Sequence, residues 1–429
     1  MRLSLWTATF IVFLTLTVSI GPGNATDGPG RFESLKRFSQ VLDLVERFYV
    51  SDVSRDELME GAIRGMLQNL DPHSAFLDAA EYREMQESTS GEFFGIGIEI
   101  TQQNDRLVVV APIADTPAAR AGLRAGDIIL AVDGKLTQEM TLRESVSRIR
   151  GPRGSTVKLT ILHEGENSPE TVSIERDSIP LISVKSHELE PGYLWVRLSR
   201  FSERTTNELH DAIREERKRG PIKGLILDLR NNPGGLLDQA VHVADTFLSE
   251  GTIVSIKGRI ESNNRDFKAT AQATDVKAPL VVLVNAGSAS ASEIVAGALR
   301  DHKRGLLLGE RTFGKGSVQN VIPLADGSGL KLTIALYHTP DGTSIQAEGV
   351  EPDIKLPFVQ PARDEESKAK HPFGIMREKD LARHLENGED KKSPETERDK
   401  ESVASLERDN QLRMALQLVK QLPRLQAIH

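Results

Sequence analysis

Pro279-Leu-Val-Val-Leu-Val-Asn285, then Ala286-Gly-Ser-Ala-Ser-Ala-Ser292, and further on Arg311-Thr-Phe-Gly-Lys-Gly-Ser-Val-Gln319 decide how this chain reads. The first run is short, apolar and rich in β-branched residues, which is the pattern of a buried strand. Small residues follow, and Glu293 to Arg300 has helical character. The serines therefore sit at a strand-to-helix corner, and one lysine lies between two glycines a little later.

Working outward, Ile182 to Asp353 alternates strands and helices. Strands are expected at Tyr193–Leu198, Leu225–Leu229, Thr252–Ile256, Leu306–Leu308, Leu330–Tyr337 and Thr343–Gln346, with Val318 to Pro323 extended. Helices are expected over Ser202–Lys218 and Leu236–Leu248. Such alternation predicts an α/β sheet covered on both faces, with its site beyond the carboxyl ends of strands. The turns after Leu229 (Arg230-Asn-Asn-Pro-Gly-Gly235) and after Asn285 are two such ends.

Upstream the pattern changes. Residues 32–86 read as helical, with Phe38, Val41, Leu42, Val45 and Phe48 at helical spacing and a second helix over Arg55–Leu70. Asp71-Pro-His-Ser74 stops that helix, because proline disfavours helix in the residue before it. His73 has no ligand-spaced partners, so it reads as a turn residue rather than a metal ligand or base.

Residues 91–177 carry short strands at Leu107–Val110, Ile128–Val132 and Thr156–Leu162 and a helix over Thr141–Ile149. Ala121-Gly-Leu-Arg-Ala-Gly-Asp127 followed by Val132-Asp-Gly134 resembles a PDZ domain of the bacterial protease-associated type. Such domains add a peptide to a sheet edge and hold its terminal carboxylate on backbone N–H groups. Phe94-Gly-Ile-Gly97, with Phe94, Gly95, Ile96 and Gly97, would be that carboxylate loop.

The ends of the chain differ from its middle. Met1-Arg2 and the uncharged run Leu3 to Ile20, then Pro22, Gly23 and Ala25, read as a secretory signal peptide over residues 1–25. The alternative is an uncleaved anchor, the run being close to the roughly 18-residue minimum for a span. Either way the bulk of the protein lies outside the cytoplasm, in the periplasm or cell envelope, and membrane attachment requires the uncleaved form. Residues 362–408 are charged and poor in apolar residues, a linker with a short helix at Ala382–Leu385. Residues 409–422 form a helix whose face of Leu412, Ala415, Leu416 and Val419 docks on its own chain or on a partner.

Composition narrows the function. The 429 residues suggest two to four units, and the net charge of −8 without a basic cluster argues against nucleic acid. The absence of cysteine excludes thiol nucleophiles, thiolate metal sites and disulfides. A serine hydroxyl needs a neighbouring base, and a helix start after a buried strand favours developing negative charge. Ser290-Ala-Ser-Glu293 also fits a capping box, so on pattern alone Ser290 reads better as a helix cap than as a nucleophile. Lys315 can act as a base only when neutral, and a tight, partly apolar turn would lower its pKa. Gly309 to Lys315 begins like a phosphate-binding loop, but Gly316 stands where Ser or Thr is needed and no helix follows.

The PDZ signature, Arg230-Asn-Asn-Pro-Gly-Gly235, Gly287-Ser-Ala-Ser-Ala-Ser-Glu293 and Phe313-Gly-Lys-Gly-Ser-Val-Gln319 together resemble the carboxyl-terminal (tail-specific) processing proteases of the S41 type. The resemblance extends over Leu70-Asp-Pro-His-Ser74 and Glu348-Gly-Val-Glu-Pro-Asp353. It implies a protease core over 182–358 of the crotonase and ClpP type of α/β fold, with an inserted PDZ domain and helical terminal segments. It makes Ser290 the nucleophile, Lys315 its general base and Gln319 the residue that orients the lysine. Ala291 and one of Gly234 and Gly235 would supply the oxyanion N–H groups, and Arg150 would couple the PDZ domain to the protease. Implied partners are polypeptides with accessible C-termini, an adaptor protein as in some relatives, and a second copy through the terminal helices. No cofactor or metal is implied. The competing reading is a PDZ-based binding or chaperone protein on an inactive protease fold. A β-lactamase-like Ser–Lys site lacks the Ser-x-x-Lys spacing at this serine.

Overall fold

The computed structural model describes residues 30–103, 106–163, 165–359 and 406–426. The expected signal peptide over 1–25, nearly all of the expected linker and the helix expected at Ala382–Leu385 lie outside the described residues. Two compact units divide between Leu70 and Asp71, inside the stretch expected to be one helical region.

The N-terminal unit holds helices Gly30–Phe48 and Arg55–Gln68. The predicted helical periodicity of the first is present, yet Phe32, Leu35, Phe38, Val41, Leu44 and Phe48 are exposed.

In the second unit, the six-stranded core sheet runs in the order Val184–Glu190, Tyr193–Leu198, Gly224–Asp228, Leu280–Val284, Leu306–Gly309, Ile354–Lys355. The first pair is antiparallel and every later pair parallel. Strand residues alternate between faces. Leu225, Leu227, Leu280, Val282 and Val284 pack with helices Thr205–Arg219, Leu237–Asp245 and Ala291–Asp301. Ile226, Val281, Leu283 and Leu308 pack with Leu412, Ala415, Leu416 and Val419 of helix Asn410–Gln426. The C-terminal helix thus covers its own sheet, which settles the choice its sequence left open. At Gly224 a side chain would press on Val419 Cγ2, so glycine lets that helix approach the sheet.

A second sheet contains Thr252–Gly258, Arg265–Lys268, Ser317–Pro323 and Gly329–His338. It also holds a strand not anticipated from sequence, Ala75–Leu77, which pairs antiparallel with Gly329–Lys331. A three-residue strand has too short a period to be seen locally; its partner lies far along the chain. Thr343–Gln346 is not a strand and contributes only the bridge His338↔Ser344. Its backbone closes a turn, the Ile345 carbonyl accepting Glu348 N–H at 3.2 Å and Gly349 N–H at 2.9 Å, and Ala347 beyond it donates to the Gly314 carbonyl at 2.8 Å.

The segment with the PDZ signature folds around Ile96, Val109, Ile129, Val132, Leu159 and Ile161. It enters and leaves through an antiparallel ribbon of Glu92–Gly95 with Asp177–Pro180, the geometry of an inserted domain.

Candidate active site

Ser290 stands at the N-terminal end of helix Ala291–Asp301, directly beyond the strand Leu280–Val284. Its φ of 54° and ψ of −113° are rare for a residue with a side chain. A strained strand-to-helix turn of this kind lifts a side chain out of the helix surface, and Ser290 is half-buried while its neighbours Ala289 and Ala291 are buried. The capping interaction is made by Glu293, which accepts the Ser290 N–H at 2.8 Å. Glu293 N–H donates to the Ser290 carbonyl at 2.8 Å, and Ser290 and Glu293 form the capping box that the sequence suggests. The two readings of Ser290 are compatible, because among the described residues its hydroxyl donates no hydrogen bond.

Glu293 also binds the lysine loop. Fully buried, its Oε2 accepts the Lys315 N–H at 2.9 Å as well as Ser290's, and its Oε1 accepts Gly314 N–H at 2.7 Å and the Thr312 hydroxyl at 2.5 Å. One carboxylate oxygen thus touches the backbones of both Ser290 and Lys315, so the serine turn and the lysine loop are neighbours although their side chains share no hydrogen bond. Sequence reading saw Glu293 only as a cap. Its second role left no local signal, because the partners lie 19 to 22 residues away.

Lys315 is half-buried, and Nζ has no hydrogen bond or ion pair among the described residues. Its pKa lies below the ordinary lysine value, chiefly through burial and next through the charge of Lys331, with Glu293 opposing. The neutral amine that a base requires is favoured accordingly. Gln319 lies on the adjoining strand Ser317–Pro323, opposite Thr333. Its amide donates to the Ser317 carbonyl and hydroxyl, at 3.1 and 2.7 Å, and not to Lys315.

His73, read as a turn residue, lies nearer the site than its sequence suggested. The Asp71 carboxylate accepts the backbone N–H of His73 and Ser74 and the Thr333 hydroxyl, tying the turn beside Gln319's partner residue. Burial first, then the Lys315 charge, lower the His73 pKa.

The Arg230–Gly235 loop faces Ser290. A Cβ on Gly234 would stand 2.7 Å from the Ala289 carbonyl oxygen and 2.8 Å from Ser290 Cβ, so only glycine admits the serine turn. Gly234 N–H is engaged by Asn232 Oδ1 at 2.9 Å. Gly235 meets Phe201 through the Phe201 N–H to Gly234 carbonyl bond and the Leu236 N–H to Phe201 carbonyl bond, and its own N–H has no partner among the described residues. Ala291 N–H is likewise unused, as the first helical donor. Asn231 and Asn285 join the two loops, Asn231 N–H to Asn285 Oδ1 and Asn285 Nδ2 to Asn231 Oδ1, both at 2.9 Å.

In the PDZ-like unit, Phe94 and Gly95 lie in the entry strand, and Ile96 is buried. Gly97, at φ 78°, packs where a side chain would strike Thr116. The Ile96 and Gly97 carbonyls accept Ala118 N–H and Ile113 N–H, while the N–H groups of Ile96 and Gly97 have no partner among the described residues. Arg150, at the end of helix Leu142–Ile149, donates to Glu87 at 2.8 Å and stacks on Phe93 with its guanidinium 4.5 Å from the ring centre. Among the described residues no cluster of His, Asp and Glu could hold a metal ion.

Comparison with known proteins matches residues 192–356 to peptidase family S41, 95–175 to the PDZ domain, and 20–81 to the N-terminal domain of the activating protease CtpB. A carboxy-terminal-processing protease of Bartonella bacilliformis is 48% identical over 327 residues, covering 75% of each chain. The carboxy-terminal processing protease CtpA of Bacillus subtilis is 37% identical, covering 80% of this chain and 73% of its own. A solved photosystem II D1 C-terminal processing protease is 35% identical, covering 75% of this chain and 92% of that one, with a TM-score of 0.43.

Proposed function

This chain belongs to peptidase family S41, as a carboxy-terminal-processing serine protease carrying a PDZ domain, and from that premise we propose that Ser290 and Lys315 cleave its polypeptide substrates through an acyl-enzyme. The observation that carries the reading is the single buried carboxylate of Glu293 holding both residues' backbones, with two unused N–H groups beside Ser290. Neutral Lys315 takes the Ser290 proton as the hydroxyl attacks the peptide carbonyl. The N–H groups of Ala291 and Gly235, rather than Gly234, receive the oxyanion. The lysine ammonium then protonates the leaving amine, and Lys315 activates the water that releases the acyl group. Gln319 orients Lys315 once its amide turns from Ser317.

The N–H groups of Ile96 and Gly97 take the substrate's terminal carboxylate. Arg150, bonded to Glu87 of helix Ala79–Ser90 just before the PDZ domain, couples peptide capture to the protease. The leader Leu3–Ile20 exports the enzyme to the periplasm or cell envelope, where an adaptor is one further partner; N-terminal sequencing of the mature protein tests removal near Ala25. A second copy pairs through the exposed apolar residues of helix Gly30–Phe48.

Ser290→Ala and Lys315→Ala are each expected to abolish cleavage of an unfolded substrate with a free C-terminus while the thermal unfolding midpoint stays put. Retained cleavage by Ser290→Ala removes the assignment. Tight binding of C-terminal peptides by the wild-type protein without product favours the binding-protein reading of this site.

A further inference from the structure

We propose that Asp409 and Gln411, from the C-terminal segment, are positioning residues of the active site that hold the oxyanion loop through Arg230. The inference rests on the Ser290 reading above. Arg230 opens the loop, follows the strand Gly224–Asp228, and is buried. An arginine has five N–H donors in a fixed plane, and here four hydrogen bonds and one further ion pair surround them. Nε and Nη2 donate to the two Asp228 oxygens at 2.9 and 2.6 Å. Nη2 also pairs with Asp409 at 2.7 Å, and Nη1 donates to Asp409 at 3.0 Å and Gln411 at 2.9 Å. The majority of these contacts cross to a segment 179 to 181 residues away in the chain.

The segment is itself anchored. Asp409 Oδ1 caps its helix by accepting Leu412 N–H at 2.9 Å, and Gln411 Nε2 donates to the Leu356 carbonyl at 2.6 Å. From Arg230 the support passes along the loop to Asn232. Its Nδ2 donates to the Leu198 carbonyl, its Oδ1 holds Gly234 N–H, and its carbonyl accepts from Ala289 N–H and the Ser292 hydroxyl. Arg230 thus fixes one end of the loop, Asn232 its middle and Phe201 the end that presents Gly235.

Taking away Asp409 and Gln411 leaves a buried guanidinium with one carboxylate and stranded donors. Such a group turns toward water, because buried unpaired donors are costly. The loop backbone beside it then loses its fixed position. An oxyanion donor works by being preorganised, so the loss falls on the transition state. Capture of a C-terminus by the PDZ domain is untouched.

The test uses the full chain with Asp409→Ala/Gln411→Ala, and Gln411→Ala alone, which keeps the helix cap should the double variant fold poorly. For the double variant kcat on a peptide substrate falls about tenfold with KM within about twofold, and the inhibition constant of a peptide aldehyde, whose adduct needs the oxyanion donors, rises about tenfold. The single variant moves both constants in the same direction by about threefold. Affinity for a C-terminal peptide stays constant in both. Lys420→Ala, which removes the 2.7 Å pair with Glu190 from the same helix, leaves every constant unchanged. A folded variant with wild-type kcat and aldehyde affinity overturns the proposal. So does a parallel loss of aldehyde and C-terminal peptide binding, which marks general destabilisation. Ser290→Ala measured alongside separates the two readings: cleavage by that variant sinks the site assignment itself, whereas its inactivity beside an unaffected double variant sinks only the role of the C-terminal segment.

Discussion

Replacing Glu293 by glutamine separates the two things this carboxylate does. In the native site it accepts four donors, Ser290 N–H and Lys315 N–H on Oε2 and Gly314 N–H and the Thr312 hydroxyl on Oε1. A glutamine nitrogen in place of Oε2 would face two backbone donors that cannot reverse. In place of Oε1 it faces one, Gly314, and a Thr312 hydroxyl that can rotate while still accepting Val350 N–H at 2.7 Å. The second orientation wins. It strands the buried Gly314 N–H, at about 1–3 kcal/mol, and weakens the two remaining bonds by removing their charge, for a total of about 3 kcal/mol. Urea unfolding followed by Trp195 fluorescence, in the core sheet, reads that cost. The loosened turn lowers plateau kcat about tenfold, since small displacements of reacting groups are costly.

The pH dependence moves the other way. Glu293 raises the Lys315 pKa against the lowering by burial and Lys331. Removing its charge makes the ammonium less stable, so the lysine gives up its proton at lower pH. The acid limb of the kcat profile therefore shifts to lower pH even as the plateau falls. A limb displaced to higher pH, or a variant as stable as wild type within about 0.5 kcal/mol, would refute the reasoning.

Two further predictions follow from single residues. Gly235→Ala places a Cβ inside the Phe201 carbonyl at φ 146°, so a loss of about 3 kcal/mol or more is expected; a wild-type urea midpoint contradicts it. In the PDZ-like unit His163 bonds Asp127 at 2.7 Å and Glu170 at 3.1 Å, and these acceptors raise its pKa above 6.5, with burial first and the nearby Arg124 next opposing. Because the folded pKa is the higher one, this contribution is complete below pH about 6.5 and disappears as pH rises through the folded value. The melting-temperature gap between wild type and His163→Gln should shrink with rising pH, and a gap that widens would count against the charged pair.

Much of the fold was legible because its determinants are local. Short continuous apolar runs marked Leu280–Val284 and Gly224–Asp228 as strands, and helical spacing marked Asn410–Gln426, each to within a few residues. The serine turn and the lysine loop were legible as motifs. Ala75–Leu77 was missed because its strand exists only through pairing with Gly329–Lys331, and Thr343–Gln346 was overread because its backbone closes a turn, the Ile345 carbonyl accepting Glu348 and Gly349 N–H, instead of a ladder.

Residue type and near-neighbour spacing, which the chain carries in itself, determined the layered α/β core, and the joint occurrence of motifs along the chain marked the PDZ insertion and made Ser290 and Lys315 candidates. Tertiary structure alone decided which groups remain free to act. Gly234 and Gly235 are alike in sequence, and only the Asn232 side chain distinguishes them by occupying one N–H. Glu293 could cap any helix, and only folding brings Gly314 and Lys315 onto it. Hydrogen-bond capacity is fixed by residue type, but its use depends on which distant groups packing brings within 3 Å, and no local pattern in the sequence records that.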